Sequence, residues 1–248
     1  MTVPALVTLH LWRVPCTAVP RALWHMAVHR RPLRRTPGVR FAKLLGTGAG
    51  RTFTPGDADP CRWGLLAAWD DPAAAAAFEA GAVVRAWRQI AKEEWSTHLR
   101  PLSSRGRWSR QEPFGRPESA AWEGPVAAVT RARLTMRRTA RFWRAVPPVA
   151  TDLHSSPGLL AALGIGEAPV GLQGTFSIWD GAASMNAFAY GRRAHAAVVR
   201  RTPQEQWYAE ELFARFAVIS ARGTLDGRDP LAPIRSPTPD HGSPRSAM

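Results

Sequence analysis

Apolar and polar residues alternate along residues 7–12 as Val-Thr-Leu-His-Leu-Trp, a period of two that predicts a half-buried strand. Helical spacing takes over from Pro20 to Arg30, and two more extended runs follow at residues 40–45 and 64–69. Asp70 or Asp71 ahead of Pro72 predicts a second helix start. A carboxylate there accepts from the free amides of the first turn, and proline lacks the hydrogen that would be orphaned. This helix is expected to continue to about Trp95, with residues 99–105 as the closing strand. The order is strand, helix, strand, strand, helix, strand.

The same order recurs. Residues 126–135, 159–166, 172–179 and 213–222 read as strands, with helical spacing in 138–146 and, interrupted, in 181–212. Short motifs repeat with it: Trp69-Asp70 to Phe78 returns as Trp179-Asp180 to Phe188, Pro37-Gly38 as Pro157-Gly158, and Gly46-Thr47-Gly48 as Gly164-Ile165-Gly166. Glu93-Glu94 returns as Glu210-Glu211, and Arg105-Gly106 as Arg222-Gly223. An internal duplication follows. The fold class predicted is α+β, with two ferredoxin-like βαββαβ repeats whose bare sheet faces are buried by packing sheet to sheet as a pseudo-symmetric dimeric α+β barrel. The expected divisions are an N-terminal repeat at 1–106, a linker at 107–125, a C-terminal repeat at 126–225 and a disordered tail at 226–248, rich in Pro, Ser, Arg and Asp.

Each copy has roughly 100 residues, enough for one modest core. No apolar run reaches the roughly 18 residues that would span a bilayer, and the N-terminus carries no signal-peptide pattern, so a cytoplasmic protein is expected. Cys16 and Cys61 are too few for a disulfide framework and read as two inert thiols. The formal charge is +14, yet the only lysines are Lys43 and Lys92. The densest basic segment, residues 29–35, reads first as a solvated loop. Peripheral contact with an anionic membrane, helped by Trp24 and Leu33, ranks second, and nucleic acid is not expected as a partner. Trp12, Trp24, Trp143 and Trp207 read as core rather than as a tunnel lining.

Chemically the copies diverge in the second helix. Residues 73–87 present no ligand type inward, whereas its counterpart is broken by Gly191-Arg192-Arg193 and restarts as Ala194-His195-Ala196-Ala197-Val198-Val199-Arg200. A lone histidine among small residues can point into a pocket, although on these residues alone a satisfied core histidine is the leading reading.

Several long segments resemble the spheroidene monooxygenase family of carotenoid biosynthesis. They are residues 40–50 with Phe53-Thr54-Pro55, residues 104–114, Gly164-Ile165-Gly166-Glu167, residues 175–179 with Ser184-Met185 and Phe188-Ala189, and residues 210–216, so the resemblance spans about residues 5–231. It implies haem b, a barrel akin to chlorite dismutase and aldoxime dehydratase, and oxygenation of a hydrophobic substrate by O2 with electrons from a donor such as ferredoxin. A homo-oligomer is compatible with it. His195 matches the family's histidine and would be the axial metal ligand. Arg131, Arg192, Arg193 and Arg200 would pair with haem propionates, since guanidinium forks match carboxylates. Alternation along 172–179 sets Gln173, Thr175, Ser177 and Trp179 on one face and Leu172, Gly174, Phe176 and Ile178 on the other. Gln173 and Ser177 are the candidate catalytic residues, Gln173 as a donor to bound oxygen. His25 and His29 are expected to be exposed helix residues. The family pattern carries a histidine where this chain has Leu172. The alternatives kept open are a haem lyase or N-oxygenating enzyme of the aldoxime-dehydratase kind, and a non-catalytic haem-binding protein.

Overall fold

The repeated glycine and glutamate motifs turn out to be the joints of the molecule. The computed structural model describes residues 2–52, 55–118, 120–134, 150–167, 174–191 and 208–235. Its strands are β1 (Leu6–Arg13), β2 (Val39–Gly48), β3 (Ala58–Trp69), β4 (Glu93–Gly106), β5 (Val126–Leu134), β6 (Leu159–Gly166), β7 (Gly174–Trp179) and β8 (Tyr208–Gly223). Within each copy the strands pair in the ferredoxin-like order, β4-β1-β3-β2 and β8-β5-β7-β6, and the two sheets join edge to edge into a closed antiparallel barrel. Gly46, Thr47 and Gly48 of β2 pair with Gly166, Ile165 and Gly164 of β6 across one seam. Across the other, β4 and β8 run together from Trp95 opposite Gly223 to Gly106 opposite Leu212. Gly106 and Gly223 end these strands at φ +93° and +85°. A Cβ at either would strike the carbonyl oxygen of Glu211 or Glu94, so only glycine fits both the angle and the close approach. Chain closure therefore explains why these motifs occur twice.

Helices cover the outside of the first sheet: α1 (Val19–Val28), α2 (Arg30–Arg35), α3 (Pro72–Glu79) and α4 (Ala82–Ile90). Asp71 caps α3 as expected, its side chain accepting from the amide of Ala73 at 2.9 Å. The single helix expected from 72 to about 95 is instead two. The Gly81 amide bonds back to Phe78 O at 2.8 Å, and Gly81 is the extended N-cap from which α4 restarts. This re-aims Val84, Trp87 and Ile90 at the sheet. Trp95 belongs to β4, whose alternation sends Trp95 and Leu99 into the barrel. In the second copy, α5 (Ala182–Gly191) lies outside β5 to β7, and residues 208–212 belong to β8 rather than to a helix.

Three apolar layers result. The barrel interior is filled by Leu9, Leu11, Phe41, Leu66, Phe176 and Phe216, among others. Trp108 and Phe114 of the expected linker are buried in that same cluster, and Phe114 stands edge-on to Phe216 at 4.9 Å between centroids. The first ten residues of the expected tail are ordered as well: Leu231 is 4% exposed within the interior cluster, and Ala232–Arg235 form a short helix, α6. The second layer lies between the first sheet and α1 to α4, and the third between the second sheet and α5.

Candidate functional site

A large ligand has three layers to choose from, and side-chain volume separates them. The interior is packed with its own side chains. The outer face of the first sheet presents Thr8, His10, Trp12, Ala42, Leu44, Trp63, Leu65, Ala67 and Trp69, with Trp12, Trp63 and Trp69 all at 1% exposure or less. Trp12 stacks on Trp87 of α4 at 5.2 Å and 9°, and on His10 at 5.4 Å. That layer is full.

The equivalent face of the second sheet is built from smaller residues. Register fixes the correspondence, because β1–β3 begins at Leu6 opposite Trp69 and β5–β7 at Val126 opposite Trp179. Thr8, His10 and Trp12 thus become Ala128, Thr130 and Ala132. Leu44, paired with Leu65, becomes Gly164, paired with Thr175, while Ala42 and Ala67 become Ala162 and Ser177. The indole of Trp12, the imidazole of His10 and the leucyl groups of Leu44 and Leu65 are replaced by methyl, hydroxyl or hydrogen, so this part of the face forms a shallow floor. Ser177 and Trp179 mark its polar edge, the indole N–H donating to Ser177 Oγ at 3.0 Å. Arg215 of β8 donates to Asn186 Oδ1 of α5 at 2.9 Å, tying helix to sheet at the far side.

Of the candidate site residues, Ser177 lies on this floor, buried at 7% exposure. Gly174 and Phe176 have the opposite parity and face the barrel. Arg131 also has interior parity, next to Val129. Its guanidinium pairs with Glu210 at 2.5 Å and Glu167 at 2.9 Å and lies over the Trp108 ring at 5.4 Å. A propionate-pairing Arg131 is thereby corrected: strand alternation turns it away from the floor, and two carboxylates already occupy its fork. Gln173, Arg192, Arg193, His195 and Arg200 lie outside the described residues, as does Leu172.

One titratable cluster has no local sequence signal. His10 is 1% exposed, with its ring nitrogens 3.5 Å from Glu79 and 3.8 Å from Glu94, ionic contacts longer than hydrogen bonds. His98 reaches Glu79 at 2.8 Å. Burial opposes a proton on His10, but the two glutamates outweigh it and raise its pKa above the ordinary 6.5. Burial likewise opposes ionisation of Glu79 and Glu94, and contact with His10 overcomes it, aided by His98 at Glu79 and Arg88 at Glu94, so both fall below 4.5. The carboxylates stabilise the fold above their unfolded pKa and lose that contribution as pH falls, whereas the histidine contributes below 6.5 and loses it as pH rises through its raised value. The stability lost in His10→Asn should therefore be largest between the ordinary values, 4.5 and 6.5, and shrink on either side. Urea unfolding across pH checks this, and a deficit that ignores pH would remove the cluster's ionic role. Among the described residues no group of His, Cys, Asp and Glu is arranged to hold a metal.

One further expectation is revised, and the two thiols prove to be neighbours. His25 is buried at 6% exposure, edge-on to the Trp87 ring at 5.2 Å, so it belongs to the helix–sheet layer and not to solvent. The thiols are free but adjacent: Cys16 and Cys61 meet at 2.9 Å between sulfurs, where the 3-10 turn of residues 16–18 lies over the start of β3. The Cys61 thiol is pushed up to about 11, first by its hydrogen bond to Cys16 and then by burial.

A closed barrel of two ferredoxin-like halves with helices outside has the architecture of the dimeric α+β barrels. Aldoxime dehydratase shares it, with a TM-score of 0.53 at 10% identity, over 86% of this chain and 80% of that one. No family model matches. A spheroidene monooxygenase of Rhodobacter capsulatus is 40% identical over 230 residues, 91% of this chain and 95% of that protein. One from Cereibacter sphaeroides is 31% identical over 97% of this chain and 78% of its own length, and one from Rubrivivax gelatinosus 39% identical over 79% and 75%. The chain belongs to the spheroidene monooxygenase family.

Proposed function

We propose that this chain is a haem b-dependent monooxygenase that inserts one oxygen atom from O2 into a hydrophobic small molecule, a spheroidene-like carotenoid being the leading substrate class. The observation that carries the reading is the small-residue floor under α5, in a chain whose curated relatives are named spheroidene monooxygenase. The residues present fit a porphyrin. Thr130, Ala132, Gly164 and Thr175 leave space for a flat face where the first copy has His10, Trp12, Leu44 and Leu65. Ser177 accepts from Trp179, so its own O–H is left to donate into the layer.

In this reading His195 would hold the iron, Arg192, Arg193 and Arg200 would pair with the propionates, and Gln173 would supply a hydrogen-bond donor to the pocket. Bound haem supplies the oxidising chemistry, with electrons from a ferredoxin-like donor. The protein's part would be to limit water with a floor of small side chains and to offer a rigid sheet as support. Arg215, tied to Asn186, keeps α5 seated over the floor's edge.

Haem titration followed by the Soret band tests this directly. Wild type should take up one haem per chain, and His195→Ala should lose the axial-histidine spectrum. An unchanged spectrum in the variant refutes the ligand, and no uptake by wild type refutes the cofactor. Substrate-dependent oxygen consumption with a reductant is expected, and turnover under nitrogen would replace the monooxygenase with a lyase.

A further inference from the structure

Leu23, Trp24 and Val28 project from α1 into solvent, and Trp24, expected in the core, has 65% of its surface exposed because α1 turns Ala22, His25 and Met26 to the sheet instead. Three of the six large apolar residues exposed among the described residues thus share one ten-residue helix. Leu33, expected to join them, is buried at 3% and anchors α2 to the core instead. Arg21 on α1 and Arg30, Arg31, Arg34 and Arg35 on α2, before and after the trio in sequence, are all exposed. None pairs with a carboxylate among the described residues, whereas Arg13, Arg40, Arg62, Arg88 and Arg131 all do. No Asp or Glu precedes Asp57 in the chain, so the segment has no acidic residue of its own to cancel this charge.

We propose that α1 and α2 form a docking surface for an anionic lipid bilayer. An exposed indole with two aliphatic neighbours suits the headgroup boundary, where tryptophan is enriched because one end is apolar and the other polar. The arginines flank that patch and are attracted to anionic headgroups, each adding to the affinity within a Debye length. Charge complementarity alone would also admit nucleic acid. A phosphate backbone, however, would leave the apolar centre of the patch unsatisfied, whereas a bilayer takes up both parts. Among the described residues no helix is long and apolar enough to cross a membrane, so this contact is one of surface. The inference goes beyond the haem reading and does not rest on it, so either can fail alone.

Flotation of the full chain tests the proposal, using vesicles of phosphatidylcholine alone and of equal parts phosphatidylcholine and phosphatidylglycerol. The protein should float with the anionic vesicles only, and release as salt rises. Leu23→Ser with Trp24→Ser should weaken partitioning by roughly tenfold or more, as should Arg30→Gln, Arg31→Gln, Arg34→Gln and Arg35→Gln together, the latter with a smaller salt dependence. All six side chains are exposed, and an unchanged circular dichroism spectrum verifies folding. If that spectrum changes, Arg34→Gln with Arg35→Gln at the end of α2 replaces the larger set and should still weaken binding. Absence of anionic-vesicle binding overturns the proposal. So does binding that ignores the Leu23 and Trp24 changes, or binding to duplex DNA in preference to vesicles.

Discussion

A Gly164→Leu, Thr175→Leu variant is expected to fold and to lose haem. In the first copy the equivalent pair, Leu44 and Leu65, face each other across β2 and β3 and are buried at 6% and 0% exposure against the helix layer. Moving that pair to Gly164 and Thr175, which face each other across β6 and β7, asks the second copy to carry the floor of the first. The backbone already accepts leucine at both places in the sister sheet, so the cost to folding should stay within the roughly 1–3 kcal/mol of local overpacking. Two isobutyl groups would rise into the volume a porphyrin needs, and affinity should fall by about a hundredfold or more, a change of roughly 3 kcal/mol. The measurement is a haem titration beside a thermal melt. Haem bound with wild-type affinity and spectrum would mean the cofactor sits elsewhere, even if His195→Ala behaves as expected.

Arg131→Met should cost about 3–5 kcal/mol of stability, as expected when one member of a buried ionic group is removed and its partners remain. The side chain of Arg131 is only 5% exposed between Glu210 and Glu167. Glu210 also accepts from the amides of Ser109 and Arg110, which hold positive φ in the turn after β4. Glu167 takes Lys43 and the Trp108 indole N–H. One guanidinium thus fixes the connecting segment to β2, β5, β6 and β8 at one end of the barrel. Burial opposes ionisation of both glutamates. At Glu167 the hydrogen bonds from Lys43 and Trp108 overcome it, with the charges of Lys43 and Arg131 adding. At Glu210 the Arg110 amide and Arg131 do so, and both pKa values fall below 4.5. The stability they contribute is present above the unfolded carboxylate pKa and lost on acidification. The deficit of Arg131→Met should therefore be largest near neutral pH and diminish towards about pH 4. Urea unfolding at the two pH values checks it, and a loss under about 1 kcal/mol at neutral pH would reduce the network to surface pairing.

The strands of both copies could be read from alternation, and the duplication from repeated motifs, because each is a local pattern written once per residue or once per copy. The break at Gly81 was less visible: alanine-rich flanks favour continuing the helix, and only the need to aim Trp87 at the sheet decides against it. The contacts of His10 with Glu79 and Glu94, and of Cys16 with Cys61, join residues far apart in sequence through strand pairing, which no single window contains. The small floor was latent in the sequence. Leu44 against Gly164 can be compared once the copies are aligned, but which face of each strand looks outward needed the barrel register. Arg131 shows the reverse case, a residue type suited to propionates whose parity on β5 points it into the barrel.

The Gly-x-Gly of one half pairs with the Gly-x-Gly of the other, and each half's closing Arg-Gly meets its sister's Glu-Glu. Contacts that satisfy themselves about a two-fold axis are those of a homodimer, so the chain has the logic of two identical protomers tethered by residues 107–125. Covalent tethering releases the halves from having to stay alike. One could fill its outer layer with indoles while the other kept small residues at the equivalent positions of its sheet.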